Sequence, residues 1–155
     1  MLPKLPGDSS LSLRGDGSFG SSGLTSAIQF LTTDVVMTNA DTFYTHSTLT
    51  RSCVAGTYLI LVSLTVARAG ATGLYTAKVW DGGSNTYFGV GGTNGGGNGN
   101  EETISFSGLV VLGTTTSVRV SVASVGASNT IKATSVNNAT GLTNKCSNIT
   151  FIKVG

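Results

Sequence analysis

The sequence predicts an all-β fold, and three observations carry that prediction. Apolar and polar residues alternate with a period of two, most regularly where Val118, Val120 and Val122 interleave with Ser117, Arg119, Ser121 and Ala123. No window carries the longer period of an amphipathic helix. Turn-forming residues such as Asp81-Gly82-Gly83 separate the apolar runs.

Taken in order, residues 1–27 hold both prolines and almost no periodicity, which predicts an extended arm outside any packed core. A head domain is expected over residues 28–155. Gln29 to Thr38 reads as a first strand region, with Phe30, Val35, Val36 and Met37 as its apolar side chains. Thr42 to Arg68 predicts two short strands, a turn at Ala55-Gly56 and a long strand over 57–68. On that strand Tyr58, Ile60, Val62, Leu64 and Val66 share one face. The other face begins with Leu59 and Leu61 and ends in Ser63, Thr65 and Ala67. A strand apolar throughout on one face and over half of the second is buried between layers or at an interface.

Leu74 to Trp80 follows, with Tyr75, Ala77 and Val79 on one side and Trp80 on the other. Gly91 to Asn100 reads as a glycine-rich loop that is costly to order. Thr103 to Leu112 places Ile104, Phe106, Val110 and Leu112 together, and Ser117–Ala123, Asn129–Val136 and Ser147–Val154 complete the strand set.

Composition narrows the function. Charged residues make up 10% of the 155, against about 25% in ordinary soluble domains. A surface so poor in charge fits either the Ser/Thr/Asn surfaces common in extracellular and virion β-proteins or a surface largely taken up in protein contacts, where charges are depleted. The net charge of +2 is too small and scattered for nucleic-acid binding. The longest apolar run, Tyr58 to Leu64, falls far short of the ~20 residues of a membrane-spanning helix, so no membrane partner is expected. No apolar core of signal-peptide length occurs near the N-terminus, which predicts a product made in the cytoplasm with Cys53 and Cys146 reduced.

No segment carries a catalytic constellation. His46 is the only histidine, no nucleophile-elbow pattern accompanies it, and one imidazole cannot build a histidine-rich metal site. Asp81, Glu101 and Glu102 flank the glycine loop without the spacing of a calcium loop. The glycine run lacks the following lysine and the strand–loop–helix context of a phosphate cradle. Arg14-Gly15-Asp16 matches an adhesion tripeptide, but chance on a glycine-rich arm accounts for it. The sequence therefore predicts no enzyme, no cofactor and no metal.

The run Thr42-Phe43-Tyr44, Ser47-Thr48-Leu49 and Ala55-Gly56-Thr57-Tyr58-Leu59-Ile60 resembles the opening of the compact jelly roll of tumour-necrosis-factor-like and complement-type globular heads. There, two short strands lead to a glycine–aromatic pair that opens a long inner strand. Ile149 to Val154 looks like that family's closing strand, so the resemblance covers about residues 28 to 155. It implies a sandwich of about 8–10 antiparallel strands, a threefold homotrimer, and an antiparallel pairing of the 57–68 strand with the last strand. It also implies that Cys53 and Cys146 sit at opposite ends of one sheet and form no bridge. The fold recurs in bacteriophage fibre heads and capsid decoration proteins, and the Ser/Thr/Gly-rich style makes this chain similar to the phage members.

The resulting expectation is a virion structural protein at the capsid surface, synthesised in the host cytoplasm. It would be a homotrimeric decoration (cement) protein whose partners are itself and the major capsid protein. The start at Met1 and the lack of a coiled-coil shaft favour that role over a fibre tip. Leu2, Leu5, Leu11, Leu13 and Phe19 are the expected docking contacts of the arm, and Tyr58, Ile60, Val62, Leu64 and Phe151 the expected trimer-interface or core strip. The alternative is a fibre or baseplate tip that reads a host receptor or surface glycan with Trp80, Tyr87, Phe88, Asn94 and Asn98.

Overall fold

A computed structural model describes residues 11–13, 19–21, 25–69, 74–93, 100–137 and 142–154. In chain order these give β1 (Leu11–Leu13), β2 (Phe19–Ser21), β3 (Thr25–Phe30), β4 (Val35–Met37), a 3-10 turn at Ser47–Leu49, β5 (Thr50–Cys53) and β6 (Gly56–Ala67). They continue as β7 (Leu74–Trp80), β8 (Thr86–Thr93), β9 (Glu101–Leu112), β10 (Thr116–Ser124), β11 (Asn129–Lys132), β12 (Thr134–Asn137), β13 (Leu142–Lys145) and β14 (Asn148–Lys153).

Two antiparallel sheets pack face to face. The smaller runs β5-β10-β7-β8. The larger is built around β6, which β9 lines along one edge from Gly56↔Leu112 to Ala67↔Glu101. The other edge of β6 is shared by β14, over Tyr58 to Ser63, and β11, over Thr65 to Ala67. β3 then extends the sheet beyond β14, and β4 extends it beyond β11. Taking β3, β5, β6, β7, β8, β9, β10 and β14 as strands one to eight, one sheet has the order 1-8-3-6 and the other 2-7-4-5. Apart from the β7–β8 hairpin, successive strands thus alternate between sheets and the last returns beside the first, which is jelly-roll winding.

The alternation of β6 is resolved by what faces it. Tyr58, Ile60, Val62, Leu64 and Val66 point between the sheets, where they meet Val79, Val118, Val120, Val122, Ile149 and Phe151 in one core. Leu64, Val66, Val79 and Val118 are fully buried. Where β14 gives way to β11 beside β6, the Thr65 N–H donates to Ser147 Oγ (3.0 Å), so the junction leaves that donor satisfied. Asn129, also fully buried, donates to Ser124 Oγ (2.6 Å) and accepts the Ala69 N–H (3.0 Å).

Several expectations need correction. The region Gln29–Thr38 is two strands, because the chain leaves β3 at Leu31 and rejoins the sheet as β4 beside β11. Ser47–Leu49 is a 3-10 turn, its first backbone groups capped by His46, whose Nδ1 accepts the Thr48 N–H at 3.3 Å. Thr42–Tyr44 makes only a single bridge, Tyr44 to Val122. Gly91, Gly92 and Thr93 belong to β8 and pair with Leu74–Thr76, so strand replaces loop there. Asn129–Val136 divides into β11 and β12 at Ala133. Cys53 lies in the smaller sheet while Cys146 precedes β14 of the larger; both are free thiols. The strand β3 begins at Thr25, so Thr25 to Ala27 run within the sheet alongside Phe151 to Lys153.

Candidate interaction surfaces

The outward face of the larger sheet is the first candidate. Because register is fixed by the ladders, its side chains fall into rows across the strands. One row reads Ser26, Ile152, Leu59, Leu109 and the next Ile28, Thr150, Leu61, Ser107. Beside them, Val154 donates its N–H to the Thr57 carbonyl (2.9 Å), and Thr57 faces Val111. Leu109 is 67% exposed, Val111 75% and Ile28 53%, while Leu61 and Val154 are also open. No charged side chain sits in these rows. Covering the exposed parts of these five side chains would release roughly 4–8 kcal/mol per chain. A shallow depression lined by Leu61, Ser63, Ser105, Ser107, Asn148 and Thr150 continues the surface, and its hydroxyls and amide can meet polar groups of a partner.

The outward face of the smaller sheet is different, because the chain covers it with its own groups. The Lys78 ammonium lies between the Phe43 ring (4.2 Å) and the Trp80 ring (3.8 Å). Trp80 donates its indole N–H to Ser121 Oγ (2.7 Å), and the Thr45 hydroxyl meets the same oxygen. Asp81 holds the following turn, accepting from the Gly83 N–H (2.7 Å) and Asn85 Nδ2 (2.7 Å). The Gly83 N–H bond, with those from Asn85, holds the Asp81 carboxyl below its usual range. Gly82 has φ +83°, and a Cβ there would lie 2.4 Å from the Arg119 guanidinium carbon.

The expected site residues distribute as follows. Tyr58, Ile60, Val62, Leu64 and Phe151 lie inside a single chain's core, which leaves the opposite face of the same strands to any intersubunit contact. Trp80, Tyr87 and Phe88 do not form one surface. Trp80 faces outward, whereas Tyr87 and Phe88 pack against the core, Phe88 edge-on to Phe106 at 5.8 Å. Trp80 also lies at the opposite end of β7 from the Thr93 end of β8, six residues or ~20 Å away. Asn94, Asn98, Leu2 and Leu5 lie outside the described residues. Leu11, Leu13 and Phe19 fall on an antiparallel ribbon, with Leu13 opposite Phe19, where an extended arm was expected.

Sequence reading missed Leu109, Val111 and Ile28 as surface groups. The usable signal was the apolar second face of β6 at Leu59 and Leu61, which requires an apolar neighbour row. His46 is part-buried and occupied in the cap, paired with the Thr48 hydroxyl at 2.8 Å. Among the described residues no three of His, Cys, Asp and Glu gather as metal ligands, and no helix is long and apolar enough to cross a membrane.

No family model and no curated protein sequence matches the chain. Solved structures do share its fold. A chain of the crystal structure of the T13 IBDV viral particle matches with TM-score 0.52 and 10% identity, over 98% of this chain and 35% of that one. A chain of infectious bursal disease virus Gx strain matches at 0.48 with 12% identity, over 99% and 38%. A chain of the VP2 subviral particle of the same virus matches at 0.43 with 13% identity, over 99% and 37%. The present chain spans little more than a third of those proteins. At such identities the likeness is one of fold, and it rests on the first of the three.

Proposed function

We propose that this chain is a non-enzymatic virion structural protein. In this reading it is a homotrimeric capsid decoration (cement) protein that fastens itself to the major capsid protein by its N-terminal arm. The observation that carries it is the uncharged part of the larger sheet's outward face around Leu59 and Leu61, with Leu109 and Val111 bare beside them. A monomer gains nothing from such a face, whereas a self-associating subunit buries it. The fold likeness to a chain of the T13 IBDV viral particle supports the virion setting, and the jelly-roll winding fits the trimeric heads that the sequence resembles. A trimer seated where coat subunits meet would stabilise the shell by linkage, since it binds only the assembled state.

The test mixes purified protein, intact and lacking residues 1–23, with capsids stripped of accessory proteins. Co-sedimentation and a higher shell disruption temperature with the intact protein, lost on truncation, are the expected results. Failure of both forms to bind the shell would remove the cement role.

A second reading, a tip that binds a host glycan or receptor, has one observation in its favour. A cavity of about 540 Å³ opens at the Leu74 end of the smaller sheet, lined by Asp41, Thr76, Gly91, Gly92, Leu74 and Val125. A Cβ would have open space at Gly92 and only one distant contact at Gly91, and neither has a positive φ. No contact among the described residues requires glycine there, and it keeps the approach open for another molecule. Saturable binding of host surface glycans, abolished by Gly91→Phe, would favour this reading over cementing.

A further inference from the structure

A smaller cavity, about 150 Å³, lies at the opposite end of the sandwich, where the edge strand β5 faces β3 and β14. Arg51 and Lys153 both line it. They come from facing sheets, and both occupy inward-facing positions. Arg51 is opposite the buried Val118 on β10, and Lys153 is opposite the buried Tyr58 on β6. Thr25, which pairs with Lys153, adds a hydroxyl on the same face.

Two like charges turned toward one partly buried space repel each other unless an anion lies between them. No carboxylate of the described residues does so. Asp34 is taken by Lys132. Asp81 is engaged in its own turn, and Asp41 lines the other cavity. Glu101 and Glu102 pair with Ala67 and Val66, at the far end of β6 from Tyr58, which puts them ~30 Å away. Burial pushes the Cys53 thiol up, more than Arg51 pulls it down, so this neighbour is neutral at physiological pH. The Arg51 guanidinium is already positioned, 5.8 Å from the centre of the Phe151 ring. A stacked, planar donor of this kind is suited to accept an oxyanion without reordering.

We propose that this corner is an oxyanion site that takes a single carboxylate- or phosphate-sized group, held by Arg51 and Lys153 with Thr25 as hydroxyl donor. The volume sets the size, since cavities for whole small-molecule ligands start near 300 Å³. Two sources share that chemistry. One is an acidic side chain of this chain's own N-terminal segment, Asp8 or Asp16, which leads into Thr25. The other is an acidic group of a neighbouring chain.

The experiment titrates inorganic phosphate, and separately acetate, into the full chain at constant ionic strength and follows backbone amide resonances. Saturable shifts at Ser52, Thr25 and Lys153 are expected. The affinity should fall about tenfold or more in Arg51→Met and in Lys153→Gln, each losing one charge-assisted hydrogen bond. Folding of both variants is checked by their dispersed spectra, and either one suffices. The Asp8→Asn/Asp16→Asn variant separates the sources. Phosphate binding about tenfold tighter than in the parent chain assigns the site to the arm, and unchanged binding assigns it to another chain. The proposal is overturned if neither the parent nor that variant shows saturable shifts at this corner, or if Arg51→Met and Lys153→Gln bind phosphate as the parent does.

Discussion

The two sheets of this sandwich end in opposite ways on their outer faces. On the smaller sheet Lys78 is held between Phe43 and Trp80, and the Trp80 N–H and Thr45 hydroxyl both reach Ser121. That surface is complete within one chain. On the larger sheet the corresponding rows carry Leu59, Leu61, Leu109 and Val111 with no covering segment of the chain among the described residues. One sheet covers its outer face with its own side chains, and the other leaves apolar side chains bare, which the proposed reading gives to a second subunit. On that reading, the uncharged rows around Leu59 and Leu61 are where a partner subunit would pack.

Substitutions can break this contrast, and the largest effects belong to the layer both sheets share. Leu64→Ala and Phe151→Ala leave cavities at fully buried positions and should cost about 2–5 kcal/mol by urea unfolding. Leu109→Ser, by contrast, should leave the stability of the isolated subunit within about 0.5 kcal/mol. Equal losses at both positions would mean that the outward row is part of the subunit's own core.

Glycines of β8 sharpen the comparison next. A Cβ at Gly89 would lie 2.6 Å from the Ala77 carbonyl oxygen, so Gly89→Ala must displace backbone and should cost about 1–3 kcal/mol. Gly91→Ala meets nothing nearer than 3.9 Å and should be neutral or stabilising by up to about 1 kcal/mol. Thermal unfolding of the pair reads the difference directly.

A smaller effect is expected at the self-made cover of the smaller sheet. Trp80→Phe removes the donor to Ser121 and weakens the contact with Lys78, and a loss of about 1 kcal/mol by chemical unfolding is expected.

The smallest concerns the one ion pair among the described residues, Asp34 with Lys132. Burial raises the Asp34 pKa, but hydrogen bonds from Lys132 and the Ala133 N–H outweigh it and hold the carboxyl below its usual value. The stabilisation is therefore present above pH ~4 and is lost as pH falls through the depressed folded value. Lys132 is raised, first by its bond to Asp34, so its share is present below pH ~10 and lost as pH rises through the folded value. Both side chains are partly exposed, so Asp34→Asn should cost no more than about 1 kcal/mol and should flatten the acid limb of the stability–pH curve.

Much of this architecture is legible in the residues. The alternation of Val118, Val120 and Val122 gives β10, and the long apolar run gives β6. β8 was hidden because Gly89-Val90-Gly91-Gly92 has no strand propensity, and pairing to β7 holds it instead. The 3-10 turn was hidden because Ser47-Thr48-Leu49 has a strand-like composition, and a side-chain cap from His46 decides otherwise. The bare apolar face was only half legible. β6 is apolar on both sides near Leu59 and Leu61, and which side turns inward depends on where the second sheet lies. The Arg51–Lys153 corner had no sequence signal, because two sheets bring together residues 102 positions apart.

The most direct measurement is sedimentation equilibrium of the full chain beside a Leu61→Lys/Leu109→Lys variant, with circular dichroism to verify that both are folded. If the outward face of the larger sheet joins the subunits, the parent is a trimer at micromolar concentration and the variant a folded monomer. A monomeric parent, or a variant that remains trimeric, would contradict the assignment of that face.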